Sequence, residues 1–151
     1  MRKIYLAAVV VWVIIISVAG AEAAEKNVTV KADIPRSWKV QEMKGPDLEF
    51  IYTSPTGETV WVYARMTEGT SLKDFAYEKS KQLKGSTPEG NDSVGYGFTF
   101  KDKKMNKAFA EVYREDVEGM PEISGNICVT FSGDSEELLD IIGSIDLALS
   151  E

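Results

Sequence analysis

The residues that could carry chemistry in this chain are carboxylates, lysines and aromatic side chains, because its 151 residues include no histidine and a single cysteine, Cys128. Ser–His–Asp and Cys–His nucleophilic sites are therefore excluded, as are zinc and haem sites that use histidine ligands. A disulfide within the chain is excluded too, since it needs two cysteines. The net charge of −7 argues against nucleic-acid binding, which requires a clustered basic surface.

Acidic residues are concentrated in two segments. They are Glu111, Glu115, Asp116, Glu118 and Glu122, followed by Asp134, Glu136, Glu137 and Asp140. Carboxylates can bind calcium or catalyse glycoside hydrolysis, but neither segment has the regular acidic spacing of an EF-hand loop. We interpret both as solvated surface and predict no metal, no cofactor and no enzymatic activity. A hydrolase that uses acids alone is the catalytic alternative.

Aromatic residues recur at alternate positions of several segments, as expected for strands that present them on one face. Our candidates for binding a ligand or a partner are Tyr52, Trp61, Tyr63, Phe98 and Tyr113. If these strands are neighbours, one sheet face is rich in aromatic side chains, which suit binding grooves and interfaces. The alternative is that a helix covers this face and the aromatic side chains belong to the core.

Two smaller features also have alternative interpretations. Four lysines, Lys101, Lys103, Lys104 and Lys107, predict a basic hairpin tip. This tip could bind an acidic partner or anionic lipid headgroups, or it could serve solubility alone. Cys128 is predicted to be a small buried apolar residue, with an intermolecular disulfide as the alternative.

The N-terminal segment has the pattern of a secretory signal peptide. Arg2 and Lys3 precede an uncharged run from Ile4 to Gly20, and Ala-x-Ala sequences end at Ala21 and Ala23. We predict that residues 1–23 are removed and that residues 24–151 form a single periplasmic or extracellular domain. The alternative is an uncleaved membrane anchor, although the run is shorter than the about 20 residues of a membrane-spanning helix.

The period of the apolar positions predicts the elements that position these residues. Alternation predicts strands over 27–34, 38–43, 48–54, 58–67, 95–101, 107–116 and 122–132. Helical spacing predicts one helix that begins at Thr70 or Ser71 and ends at Gly85, and a second that begins after Ser135. The polar segment 86–93 is predicted to be a surface loop. Strands in runs indicate an α+β domain with a mostly antiparallel sheet of about six or seven strands, and apolar residues on both strand faces predict helices packed on both faces.

Several short motifs occur in the order typical of one fold family. They are Ile-Pro-Arg-Ser-Trp at 34–38, Ser-Pro-Thr-Gly at 54–57 and Ser-Leu-Lys-Asp-Phe at 71–75, followed by the closing helix at 135–145. Over residues 27–147 the chain resembles the PsbP-like fold family, which includes the oxygen-evolving accessory subunit of photosystem II, the Ran-binding Mog proteins and small exported bacterial proteins. The resemblance implies an α/β/α sandwich and a function by binding, mostly as an accessory or assembly factor. It supplies no catalytic motif, and the specific partners of the family do not carry over.

We therefore expect an exported, non-enzymatic accessory or protein-binding domain whose partner is another envelope or secreted protein. The alternative is a small-ligand carrier that uses an aromatic face of the sheet. Neither hypothesis involves nucleic acid, and contact with a membrane is expected only through an uncleaved signal segment. The oligomeric state stays open.

Overall fold

The computed structural model describes residues 5–9, 14–16 and 26–150, and its largest element is a seven-stranded antiparallel sheet. In spatial order the strands are β4 (Lys39–Met43), β5 (Leu48–Thr53), β6 (Thr59–Met66), β10 (Met120–Ser132), β9 (Lys107–Val117), β8 (Gly95–Lys101) and β7 (Glu89–Asn91). In a second sheet, β3 (Lys26–Pro35) pairs with β1 (Tyr5–Val9), β2 (Ile14–Ile16) and β11 (Asp146–Leu149). The described residues also form two helices, α1 (Leu72–Gln82) and α2 (Glu136–Gly143). The fold is α+β, as predicted.

Helix α1 begins at Ser71, one of the two predicted starts, and α2 begins at Ser135. The Ser71 Oγ accepts a hydrogen bond from the Asp74 backbone N–H at 3.0 Å, and the Ser135 Oγ accepts one from the Leu138 N–H at 3.2 Å. Each bond satisfies one of the backbone donors that a helix N-terminus leaves free. Local sequence therefore determines where the helices start.

The end of α1 differs from the prediction, because Lys84 rather than Gly85 adopts the left-handed conformation, with φ of 55°. The Lys84 N–H bonds to the Lys81 carbonyl at 3.2 Å and the Gly85 N–H bonds to the Ser80 carbonyl at 2.8 Å, the two bonds of a Schellman motif. The reason for a glycine at position 85 is instead the close approach of β8. A Cβ there would lie 2.7 Å from the Phe98 Cδ2 and 3.0 Å from the Thr99 carbonyl oxygen.

Four short strands were not predicted: β1 and β2, which lie within the predicted signal segment, and β7 and β11. Strand β7 lies within the segment 86–93, where the prediction was a loop, and it pairs with β8 at the edge of the large sheet. Its three residues are exposed and include Gly90, so no apolar alternation marks it. Strand β11 follows α2 directly and pairs with β3, residues 146–149 lying opposite residues 28–31. Strand β3 therefore belongs to the second sheet and not to the large one.

Apolar side chains of the large sheet pack into two clusters. The first joins β3 and α2 to alternate residues of β5, β6 and β10, among them Val30, Phe50, Val62, Ile127 and Leu138. The second joins α1 to β8, β9 and β10 through Leu72, Phe75, Phe98, Val112 and Cys128. Cys128 is fully buried with a free thiol, which confirms its predicted character, and burial raises its pKa to about 12.

The predicted cleavage positions, at residues 19–23, lie outside the described residues, and removal of the segment stays a prediction. Within residues 5–9, 14–16 and 26–150, no helix combines the length and the apolar character needed to cross a membrane.

Candidate functional site

The strand register divides the five candidate aromatic residues between the two faces of the large sheet. Trp61 lies opposite Thr130, which lies opposite Ala110, and Ala110 lies opposite Phe98. Direct cross-strand partners project to the same face, so Trp61, Phe98 and Tyr63, two residues along β6 from Trp61, share one face. Tyr52 and Tyr113 pair with Val60 and Ile127, whose side chains belong to the other face. The five residues therefore do not form one continuous aromatic surface.

Burial separates these residues further. Tyr52 is 1 % exposed and Phe98 is 5 % exposed, so both belong to the core and present almost no surface to a ligand or partner. Trp61, Tyr63 and Tyr113 are half-buried, and burial raises the pKa of both tyrosines above its ordinary value. The Trp61 and Tyr63 rings stack with centroids 5.8 Å apart, and the Trp61 Nε1–H donates to the Glu49 Oε1 at 2.8 Å.

A network of four charged side chains lies beside Tyr63, where α1 meets β6. The Asp47 carboxylate accepts hydrogen bonds from the Lys79 Nζ at 2.6 Å and from the Arg65 Nε, also at 2.6 Å. Arg65 also donates to both carboxylate oxygens of Glu78, at 2.6 and 3.1 Å. The Lys79 Nζ lies 4.4 Å from the centroid of the Tyr63 ring, a cation–π contact.

This network is balanced in charge, because its two cations contact two carboxylates. Burial alone would raise the pKa of Asp47, but the hydrogen bonds from Arg65 and Lys79 outweigh it and hold the pKa below its ordinary value. Asp47 is therefore a buried carboxylate with its ionic partners in place. The network connects α1 to β6 and to the start of β5, which is a structural role.

An exposed aromatic pair that the five candidates do not include lies on the face that bears Tyr113. Phe109 and Phe131 are direct cross-strand partners on β9 and β10, with ring centroids 5.8 Å apart and an interplanar angle of 29°. Phe109 is 40 % exposed, and Phe131 is half-buried. The pair lines an open groove of about 500 Å³, which we call the aromatic groove; its other lining residues are Ser86, Thr87, Glu89, Gly97, Phe98, Thr99, Ala110 and Glu111. The alternation along β9 and β10 indicated which face of its own strand Phe109 or Phe131 lies on, but it did not indicate that the two residues are cross-strand partners.

A second groove adjoins the aromatic groove, since Ser86 and Thr99 line both. We call it the lysine groove; it measures about 610 Å³ and is lined by Leu83, Lys84, Ser86, Thr99, Phe100, Lys101, Met105 and Lys107. It includes two lysines of the predicted basic hairpin tip, Lys101 and Lys107. Of the other two, Lys104 turns toward the β5–β6 connection, where its Nζ lies 2.9 Å from the position of a Cβ at Gly57.

The acidic segments do not assemble a cation site in the described part of the chain, where no group of three or more Asp, Glu, His or Cys residues is placed to hold a metal ion. Glu115, in the first of these segments, is half-buried on β9. Burial raises its pKa, and the nearby Asp146 and Asp116 carboxylates raise it further.

Comparison of the chain with protein-family models, with curated proteins and with solved structures finds no match in any of the three. Any functional conclusion therefore depends on the sequence motifs and on the geometry of the described residues.

Proposed function

We propose that this chain is an exported, non-enzymatic accessory domain that binds a partner protein of the cell envelope or secreted space. The observation that carries the proposal is the exposed Phe109–Phe131 pair in the aromatic groove. Large apolar side chains are usually buried, and exposed aromatic pairs are typical of the centres of protein interfaces. The Lys107 Nζ lies 5.4 Å from the centroid of the Phe109 ring, which places a polar group at the rim of the aromatic surface. An apolar centre with a polar rim is the usual composition of an interface.

The non-enzymatic part of the proposal is supported by the way the charged groups are used. A catalytic acid or base must reach a substrate with a proton to give or accept. In the network around Asp47, the carboxylates and cations are paired with one another, and the Asp47–Lys79 pair is buried. The single thiol is buried and its pKa is raised, which opposes nucleophilic reactivity.

A small-ligand carrier is the alternative, and the volume of the aromatic groove favours it. About 500 Å³ falls within the range of small-molecule sites, but such sites usually enclose most of the ligand surface. The aromatic groove is open to solvent, which suits a protein surface better than a small molecule.

The PsbP-like resemblance and the signal segment complete the proposal. An α/β/α arrangement is supported by the two core clusters, since the cluster that includes α1 and the cluster that includes α2 contain residues of opposite parity in β10, Cys128 and Ile127. Export is supported by the signal-peptide pattern of residues 1–23. The intact mass of the protein isolated from its own cells tests cleavage of the signal segment: loss of residues 1–21 or 1–23 supports cleavage and export, whereas a full-length mass contradicts cleavage and favours the membrane-anchored alternative.

Site-specific photo-crosslinking in intact cells tests partner binding. A photoreactive amino acid replaces Phe109 in one variant and, as a matched control, Leu139 in another; Leu139 is an exposed apolar residue on α2. We expect one envelope or secreted protein to be crosslinked from position 109 and not from position 139. Equal crosslinking from both positions, or no protein crosslinked from position 109, would overturn the proposal.

A further inference from the structure

We propose that the lysine groove binds an acidic segment of a partner protein, with an apolar side chain of that segment packed against Phe100 and Met105. The inference concerns a different groove from the one that carries the proposed function and does not depend on it.

The charge of the lysine groove is opposite to that of the molecule. Lys84, Lys101 and Lys107 line the groove, whereas the whole chain carries a net charge of −7. Between these cations the surface is apolar, because Leu83 and Phe100 are half-buried there and Met105 is 70 % exposed. Carboxylates of a bound segment would meet the lysines, and an apolar side chain would cover Met105. Complementary charge and an apolar anchor are the features that specify a protein partner.

The backbone of the groove adopts the left-handed conformation at two residues that carry a Cβ. In the segments that the structure describes, two residues other than glycine have a positive φ: Lys84 at 55° and Met105 at 63°. Both line the lysine groove, and both side chains are exposed. Glycine adopts this conformation without the steric penalty of a Cβ, so the fold alone would favour glycine at each position. Strained residues that recur at one surface indicate a function for their side chains.

The groove is also held in shape before any partner binds. At the hairpin tip the Asp102 Oδ1 accepts hydrogen bonds from the backbone N–H groups of Lys104 and Asn106, both at 2.9 Å. The Met105 N–H donates to the Asp102 carbonyl at 2.9 Å, which fixes Met105 in its exposed position. On the other side, the Schellman motif fixes Lys84. A preorganised surface loses less conformational entropy on binding than a flexible one.

The shape of the groove favours a polypeptide over a lipid surface. A concave site of about 610 Å³ has room for a few side chains of a bound segment. A bilayer surface is broad and nearly flat, so its headgroups would meet the rim lysines without filling the apolar centre. We therefore assign the groove to an acidic peptide segment.

A displayed peptide library tests the assignment. In each peptide, aspartate and glutamate flank one randomised position, and the full protein is the bait. We expect selection of peptides with a large apolar residue at that position. In fluorescence anisotropy, affinity for a selected peptide should fall at least about tenfold in Met105→Gly and in Lys101→Gln. The matched control is Lys39→Gln, which removes an exposed lysine of β4 away from the groove and should retain affinity.

Melting temperatures show whether a variant that loses affinity is still folded. Met105→Gly removes the strained Cβ, so its melting temperature should equal or exceed that of the wild type while its affinity falls. The proposal is overturned if the library yields no peptide that binds, or if Met105→Gly and Lys101→Gln bind the selected peptide as tightly as Lys39→Gln. Binding to vesicles of anionic lipid without selection of any peptide would also overturn it, in favour of a membrane surface.

Discussion

The Lys79 Nζ lies 2.6 Å from the Asp47 Oδ2, although both side chains are almost fully excluded from water. The two residues come from different parts of the chain, the turn before β5 and the last turn of α1. Arg65 completes the neutralisation of Asp47 from β6. This buried pair therefore connects α1 to the turn before β5.

Substitution of Asp47 by asparagine should destabilise the fold strongly. It leaves Lys79 buried without its counter-ion, and removal of one partner of a buried ion pair costs about 3–5 kcal/mol. Urea denaturation at neutral pH measures the change in the free energy of unfolding. The control is the double variant Asp47→Leu with Lys79→Met, which removes both charges and should cost less than the sum of the two single changes. A loss below about 1 kcal/mol in Asp47→Asn, the usual upper value for an exposed pair, would contradict the structural role of the pair.

Lys84→Gly should stabilise the protein. Lys84 has a φ of 55° at the end of α1, where glycine avoids the penalty of a Cβ in the left-handed region. We expect a gain of about 0.5–1 kcal/mol in the free energy of unfolding, since the relief of strain exceeds the entropy cost of glycine. Lys81→Gly, three residues earlier inside α1, is the control and should lose about 1 kcal/mol. Thermal unfolding of both variants shows whether each substitution raises or lowers stability. A loss of stability in Lys84→Gly would argue against the left-handed conformation of residue 84.

Gly85→Ala should destabilise the protein, even though Gly85 is not in the left-handed region. The new Cβ would lie too close to the Phe98 ring and the Thr99 carbonyl oxygen. Overpacking of this kind lowers the free energy of unfolding by about 1–3 kcal/mol. Gly143→Ala in α2 is the control, because no neighbouring atom lies within 4 Å of its Cβ position. It should gain about 0.5–1 kcal/mol from helix propensity. Differential scanning calorimetry measures the melting temperatures of both variants. Equal melting temperatures for Gly85→Ala and Gly143→Ala would show that Gly85 is not packed closely against β8.

The stability contributed by Glu115 should decrease as the pH rises. Burial, with help from Asp146 and Asp116, raises its folded-state pKa above the ordinary value of 4.5. The folded state therefore binds the proton more tightly than the unfolded state. That stability is fully present below pH 4.5 and is lost as the pH rises through the folded-state pKa.

Thermal unfolding of Glu115→Gln over this pH range tests the prediction. The variant should be more stable than the wild type at neutral pH, and its advantage should shrink on acidification toward pH 4.5. Glu111→Gln removes an exposed carboxylate from the same face of the same strand and is the matched control. An advantage of Glu115→Gln that does not change with pH would refute the assignment of the shift to this carboxyl group.

The local elements of this protein could be predicted because their signals lie within a few residues of one another. The alternation of apolar residues predicted six strands of the large sheet close to their observed bounds, including Gly95–Lys101. The sequence predicted the helix starts to within one residue, Thr70 or Ser71 for α1 and Ser135 for α2, because a cap bond spans only three residues. The short strands β7 and β11 carry no periodic signal of their own, and their pairing with distant strands defines them.

The candidate site depended on contacts that no local pattern contains. Alternation within one strand indicates that Trp61 and Tyr63 share a face, but the register between β5 and β6 decides that Tyr52 lies on the other. The same kind of pairing brings Phe109 to Phe131 and leaves Phe109 exposed.

The sequence by itself therefore determined the α+β class, most of the strands, the helix starts and the chemistries that a chain without histidine lacks. Only the tertiary structure decided which aromatic residues are exposed, that Asp47 pairs with Lys79, and that Lys84 and Met105 line one groove. The physical reason is that secondary structure follows from the side-chain period of neighbouring residues, whereas a surface is assembled from residues far apart in the chain whose register is set by packing of the whole fold.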